Sequence, residues 1–242
     1  AERVRLAPDG PFGLRIDGAG YTVDFDTGNG ILRRLDGIGG GAIVHRTGLV
    51  ADPASGPAYL PGHEGAVEAL AVEHSPVEAT VTLARRQRGL RIEETWRFLA
   101  ARIEVAARLR NDGREPLTLD ALSWEVGVDT ARFRVWKRLD ADERTETGTL
   151  PAGFGPARAF TAADLTDDAG TGIGIRLRRC ALITKWQSGF IGLAHGPTRT
   201  AIELLRGIRL DPGDVVLAEF DLLPHGPEGV DFADPIPVTA WR

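Results

Sequence analysis

Apolar side chains recur at every second position along much of this chain, the pattern of strands whose successive residues face opposite sides of a sheet. Val77, Ala79, Val81 and Leu83 alternate with Glu78, Thr80 and Thr82. After the polar stretch Arg85-Arg86-Gln87-Arg88-Gly89, Leu90, Ile92, Trp96 and Phe98 share one parity and Arg91, Glu93, Thr95 and Arg97 the other. Ile103, Val105, Ala107 and Leu109 make a third set, closed by Asn111-Asp112-Gly113, residue types that tolerate positive φ in tight turns. A meander is predicted. In the next strand Leu117 and Leu119 lie on one parity and Leu122, Trp124, Val126 and Val128 on the other, which predicts a β-bulge near Asp120-Ala121.

The same alternation marks Leu14 and Ile16, Thr22 to Phe25, and Ile31-Leu32, separated by turns at Asp17-Gly18 and Thr27-Gly28-Asn29-Gly30. It returns in Ile173, Ile175 and Leu177 and in Val216, Ala218, Phe220 and Leu222. Residues 64–74 also suit one face of a short helix through Val67, Leu70 and Ala71, although a strand is expected there. Residues 35–65 and 141–168 read as long connections rich in Gly, Pro and Asp, the places where a site is sought. Glu94 falls on the apolar parity of its strand. An inward carboxylate there needs a partner, unless a bulge turns it outward.

The 242 residues, 43% of them apolar and 26% charged, can fill one large core, so the expected architecture is a single all-β antiparallel sandwich domain over 1–242. With 29 Lys and Arg against 34 Asp and Glu, the formal charge of −5 argues against nucleic acid as a partner. No apolar run reaches the roughly 20 residues that span a bilayer, and no membrane association is expected. The start at Ala1 fits initiator removal or cleavage of a leader, so a cytoplasmic protein and a secreted one both stay open. Cys180 is alone, which rules out an internal disulfide and leaves a structural zinc without its ligands. No phosphate loop, dinucleotide fingerprint or nucleophile elbow occurs, and no cofactor or metal is expected.

Three clusters offer chemistry. Tyr59-Leu60-Pro61-Gly62-His63-Glu64-Gly65 gathers a phenol, an imidazole and a carboxylate suited to proton transfer at a sugar carbon, or is a polar surface turn. His195 could complete an acid/base pair or cap a turn. Trp136-Lys137 and Lys185-Trp186 place an indole that can stack on a pyranose beside a cation that can meet a uronate carboxylate, with Arg132, Arg134 and Arg138 nearby. A buried Trp beside an exposed Lys is the structural alternative.

The stretch Val72 to Val81, the strand Gly89 to Phe98, and Arg108-Leu109-Arg110-Asn111-Asp112-Gly113-Arg114-Glu115-Pro116-Leu117-Thr118-Leu119 together resemble the β super-sandwich of the galactose-mutarotase-like superfamily. Gly172-Ile173-Gly174-Ile175-Arg176-Leu177 and the closing Leu210 to His225 are similar to exo-acting rhamnogalacturonan-lyase-like proteins. The resemblance implies a carbohydrate ligand. It implies an enzyme acting on a sugar or uronate-bearing glycoside by acid/base chemistry, a lyase, hydrolase or epimerase. The Asn-x-x-x-His segment that carries the acid of aldose epimerases is not visible here. The alternative is a non-catalytic sugar-binding or structural subunit that assembles with a catalytic partner chain. Exposed β edges would also permit a homo-oligomer.

Overall fold

The computed structural model describes residues 3–37, 40–54, 67–87, 89–140, 142, 144–150, 160–189, 192–195, 200–230 and 232. Strands β1 (Arg5–Pro8), β2 (Gly13–Asp17), β3 (Tyr21–Asp26), β4 (Ile31–Gly37) and β5 (Ala42–Pro53) form one antiparallel meander. A second meander follows as β6 (Val67–Ser75), β7 (Glu78–Gln87), β8 (Leu90–Leu99) and β9 (Ile103–Asn111). The chain then crosses back as β10 (Leu117–Val128), continues through β11 (Val135–Leu139), β12 (Thr145–Thr149), β13 (Ala162–Thr166) and β14 (Gly172–Leu182), and makes one 3-10 turn, Ile183–Lys185. It ends with β15 (Gln187–Ser188), β16 (Gly192–His195), β17 (Thr200–Leu210) and β18 (Val215–His225).

These strands form two antiparallel sheets. One runs β1-β2-β3-β4-β5-β10-β17-β16, and the other β12-β11-β13-β14-β18-β9-β8-β7-β6, with β15 paired to β14. Their facing sides enclose the core, whose centre alternates rings from the two sheets. Phe25 and Trp124 of the first meet Trp96 and Phe220 of the second, with Phe25 and Trp124 each 5.6 Å from Trp96 and Trp124 5.1 Å from Phe220. Trp124 Nε1 donates to Thr47 Oγ1 at 2.6 Å, so the one polar atom of that indole is satisfied inside.

The predicted meander and the bulge are both present. β10 slips against β5 between Leu119 and Ala121, as one extra residue requires. Residues 67–75 are a strand paired to β7, not a helix. The two long connections are partly strand. β5 escapes the alternation test because it lies between β4 and β10 and is buried on both parities from Thr47 to Ala51. β13 escapes it in the same way, with Ala162 to Leu165 all buried. The turn after β9 also departs from expectation. Among the described residues it uses no positive φ at 111–113. The Asn111 side chain closes it instead, accepting from Gly113 N and donating to the Glu115 and Leu210 carbonyls.

Glu94 points inward and is paired. Arg85 Nη2 donates to its Oε1 at 2.5 Å and Trp96 Nε1 to its Oε2 at 3.2 Å, while Arg85 Nη1 reaches the Asn29 carbonyl at 3.1 Å. Full burial raises the Glu94 carboxyl above the usual carboxylate range even against the pull of Arg85 and the indole N–H.

Candidate functional site

The side of the ten-stranded sheet turned away from the core carries a row of polar positions. Register places them on one side: Arg176, Asp221, Glu104, Arg97 and Thr80 stand opposite one another from β14 to β7, and the apolar Ala162 and Leu139 extend the row to β11. Directly opposed side chains share a face, so the charges in this row must meet. Arg176 Nη2 bonds Asp221 Oδ2 at 3.0 Å, Arg178 donates to Asp221 Oδ1, and Arg178 Nη2 also reaches Glu104 Oε1 at 2.7 Å. Glu104 further holds Arg102 at 2.9 Å and Arg97 at 2.7 Å, and Arg97 reaches Glu78 at 2.6 Å. Asp221 is fully buried, although it does not face the core. Burial works against ionisation of Glu104, but Arg178, Arg102 and Arg97 outweigh it and hold the carboxyl below the usual range.

Next to this row, His225 of β18 stands opposite Gly172 and Asp164 of β13 stands opposite Gly174. The two glycines on the intervening strand put no side chain of their own between them, and His225 Nε2 reaches Asp164 Oδ1 at 2.7 Å, while the Val230 side chain packs over Gly174. The other ring nitrogen, Nδ1, lies 2.7 Å from the Gly226 carbonyl. A carbonyl and a carboxylate both accept, so both contacts are hydrogen bonds only when the ring carries a proton on each nitrogen, which favours the imidazolium form. Burial opposes that charge, yet Asp164 and the Gly226 carbonyl prevail and raise His225 above its ordinary value of 6.5. Because the native pKa is the higher one, this pair stabilises the fold fully below pH 6.5 and progressively less as the pH rises through the native value. His225→Gln is expected to flatten that slope, measured as urea unfolding free energy against pH. A wild-type curve that rises with pH over that window would contradict it.

Lys137 of β11 is opposite Asp164 and so shares the face, its Nζ 5.7 Å from the ring centroid of Phe232. Between Glu78 and Lys137 six cations (Arg97, Arg102, Lys137, Arg176, Arg178 and His225) meet four carboxylates (Glu78, Glu104, Asp164 and Asp221), and the same face continues with Arg91, Arg108 and Arg179 beside Glu73, Glu93 and Glu219. This local excess of positive charge sits on a chain whose formal charge is −5. Among the described residues no group of three or more His, Cys, Asp and Glu gathers as metal ligands.

The residues singled out from sequence lie in different places. Tyr59, His63 and Glu64 fall outside the described residues. Trp136 is on the opposite face from Lys137, buried in the core against Leu165, and Gly148 is its cover. A Cβ at Gly148 would lie 2.3 Å from the indole. Lys185 is bound to Asp211 Oδ2 at 3.0 Å, Asp214 Oδ2 at 2.7 Å and the Arg209 carbonyl at 2.9 Å. Trp186 beside it is 85% exposed and holds a left-handed backbone, φ 51°. Trp136 adjoins the Gly172 end of β14 and Lys185 follows its Leu182 end, roughly 30 Å away at about 3.3 Å per residue, so the two aromatic–basic pairs are not brought together. His195 is buried at the end of β16. Its Nε2 donates to the Phe133 carbonyl at 3.1 Å, its Nδ1 meets Thr200 Oγ1, and burial lowers its pKa.

Asp164, His225, Asp221, Arg176 and Glu104 were not among those candidates. Arg176 and Asp221 do sit on the polar parity of their strands, but only the strand order makes them neighbours.

Two stacked antiparallel sheets in this order are similar in fold to solved structures of aldose-epimerase-like, mutarotase-like and polysaccharide-lyase proteins. A candidate aldose 1-epimerase from Klebsiella pneumoniae superposes with a TM-score of 0.58 at 14% identity, over 89% of this chain and 80% of that one. A galactose mutarotase-like protein from Clostridium acetobutylicum gives 0.56 at 10% identity, over 93% and 99%. A polysaccharide lyase gives 0.52 at 12% identity, with 93% of this chain matching 33% of that one. No family model and no curated protein sequence matches the chain.

Proposed function

We propose that this is a carbohydrate-active protein whose sugar site is the outer face of the ten-stranded sheet around Asp164 and His225, with an anionic, uronate-bearing sugar as ligand. The observation that carries the reading is His225 set between two acceptors, Asp164 and the Gly226 carbonyl, beside an arginine–carboxylate network with more cations than carboxylates. To serve as the proton donor for a departing glycosidic or ring oxygen, the imidazolium exchanges one of its two protein acceptors, Asp164 or the Gly226 carbonyl, for that oxygen, and the acceptor that stays stabilises the charged ring until it donates. Arg176, Arg178 and Lys137 offer donors to hydroxyls and to a carboxylate, and the guanidinium fork suits the latter. The sugar chemistry named for the structural neighbours agrees with this choice of ligand.

The non-catalytic reading has one observation in its favour. Trp186 is 85% exposed, its chain neighbour Lys185 is tied at three points, and Gln187 and Ser188, next along the chain, are exposed as well. A flat ring so held can stack on a pyranose far from His225.

A thermal-shift screen of neutral and uronate saccharides, followed by turnover assays on whichever binds, separates the two, since a ligand for the native state alone raises the melting temperature. Expected for the enzyme is stabilisation by uronates, with His225→Gln lowering turnover about 10²–10⁴-fold while binding persists. Binding abolished by Trp186→Ala, with no turnover in the wild type, would favour the binding module. No shift with any saccharide would overturn both.

A further inference from the structure

β6 ends the ten-stranded sheet, and among the described residues its one strand partner is β7. Every residue from Glu68 to Ser75 is exposed. Leu70 and Val72 continue the core-facing row, opposite Leu83 and Val81, yet they are 42% and 39% exposed while those partners are buried. Among the described residues the apolar row of the sandwich thus runs past the end of its own cover. Edge strands are ordinarily blunted by proline, lysine, a bulge or extreme shortness, because open N–H and C=O groups recruit another strand. β6 is nine residues long without proline or lysine, and its one slip lies between Val67 and Ala69, so among the described residues Ala69 to Glu73 is a regular open edge, with Val4 lying against its far end through the His74 ring and the Pro76 carbonyl.

We propose that β6 is the seam of a homodimer, pairing antiparallel with β6 of a second copy about a two-fold axis at Ala71. The self-complementarity of the strand selects this partner and this register. An axis perpendicular to the sheet keeps side chains on their faces only if it passes through a residue, since faces alternate along a strand. Centred on Ala71, Leu70 opposes Val72 of the second copy twice over, and Glu73 opposes the small, neutral Ala69. Centring on Leu70 sets Val72 against Glu68, centring on Val72 sets Leu70 against His74, and centring on Glu73 opposes two glutamates. The isologous pairing at Ala71 alone buries the exposed apolar pair against itself. It joins both ten-stranded sheets edge to edge. One strand from each copy is a small interface, so association is concentration-dependent rather than obligate.

Residues opposed across an antiparallel pair have Cα atoms about 4.5–5.5 Å apart, within disulfide reach. The native Cys180 is buried, so an introduced surface thiol is the reactive one. Under mild oxidation Ala71→Cys is expected to give a disulfide-linked dimer more than about tenfold faster than Glu68→Cys, because proximity raises the effective concentration of the two thiols. Cys at 68 lies six residues from its symmetric register, roughly 20 Å from its copy. Sedimentation of the wild type is expected to show a monomer–dimer equilibrium that Val72→Lys shifts to monomer. A wild type that stays monomeric at every concentration reached, or equal cross-linking at 71 and 68, would overturn the proposal. Far-ultraviolet circular dichroism confirms that each variant keeps its strands.

Discussion

Glu94→Ala is expected to destabilise the protein by about 3–5 kcal/mol, the range found when one partner of a buried ion pair is removed. Arg85 is 1% exposed, and arginine cannot shed its proton in a protein, so the variant leaves a bare guanidinium charge in the core. Arg85 Nε already lacks an acceptor, which gives the side chain little to fall back on. The Trp96 indole N–H, equally buried, loses its acceptor as well, and an unmet buried donor costs about 1–3 kcal/mol within that total. Arg85→Met combined with Glu94→Gln is expected to recover most of the loss. The combination removes both charges and keeps a carbonyl oxygen for Trp96. Urea unfolding of the single and double variants measures this, and a double variant as unstable as Glu94→Ala would contradict it.

Asp221→Ala is the second large effect, on the order of 3 kcal/mol, from removing a buried carboxylate that two arginines share. Asp221 is shared by Arg176 and Arg178, of which Arg176 is itself buried, while Arg178 keeps Glu104. The variant is also expected to abolish saccharide binding, because the two guanidinium groups lose the carboxylate that fixes them. Glu219→Ala, two residues earlier on the same face of β18, is the control and is expected to stay within about 0.5 kcal/mol of wild type, as surface changes commonly do. Equal losses at the two positions would show that the network around Asp221 contributes nothing specific.

Period-2 patterning identified β7, β8, β9, β10, β14 and β18, because each buries one face and exposes or charges the other. It also exposed the slip of β10 and singled out Glu94 as a carboxylate on the apolar parity, with the choice between an inward side chain and a bulge left to the structure. It missed β5 and β13, whose two faces are both covered, so their apolar positions do not alternate. In the candidate site, Lys137 was legible as a lone lysine beside a tryptophan, while its closest charged neighbours were not.

The sequence by itself determined that this chain forms an antiparallel sandwich, because alternation, turns and a parity break are local properties of consecutive residues. Only the tertiary structure decided where the charge gathers. Asp164 and His225 lie 61 positions apart, and Arg176 and Asp221 lie 45 apart. They meet because the strand order sets β14 between β13 and β18, and because Gly172 and Gly174 carry no side chains to separate what lies on either side. Register is a relation between distant segments. No reading of neighbouring residues contains it.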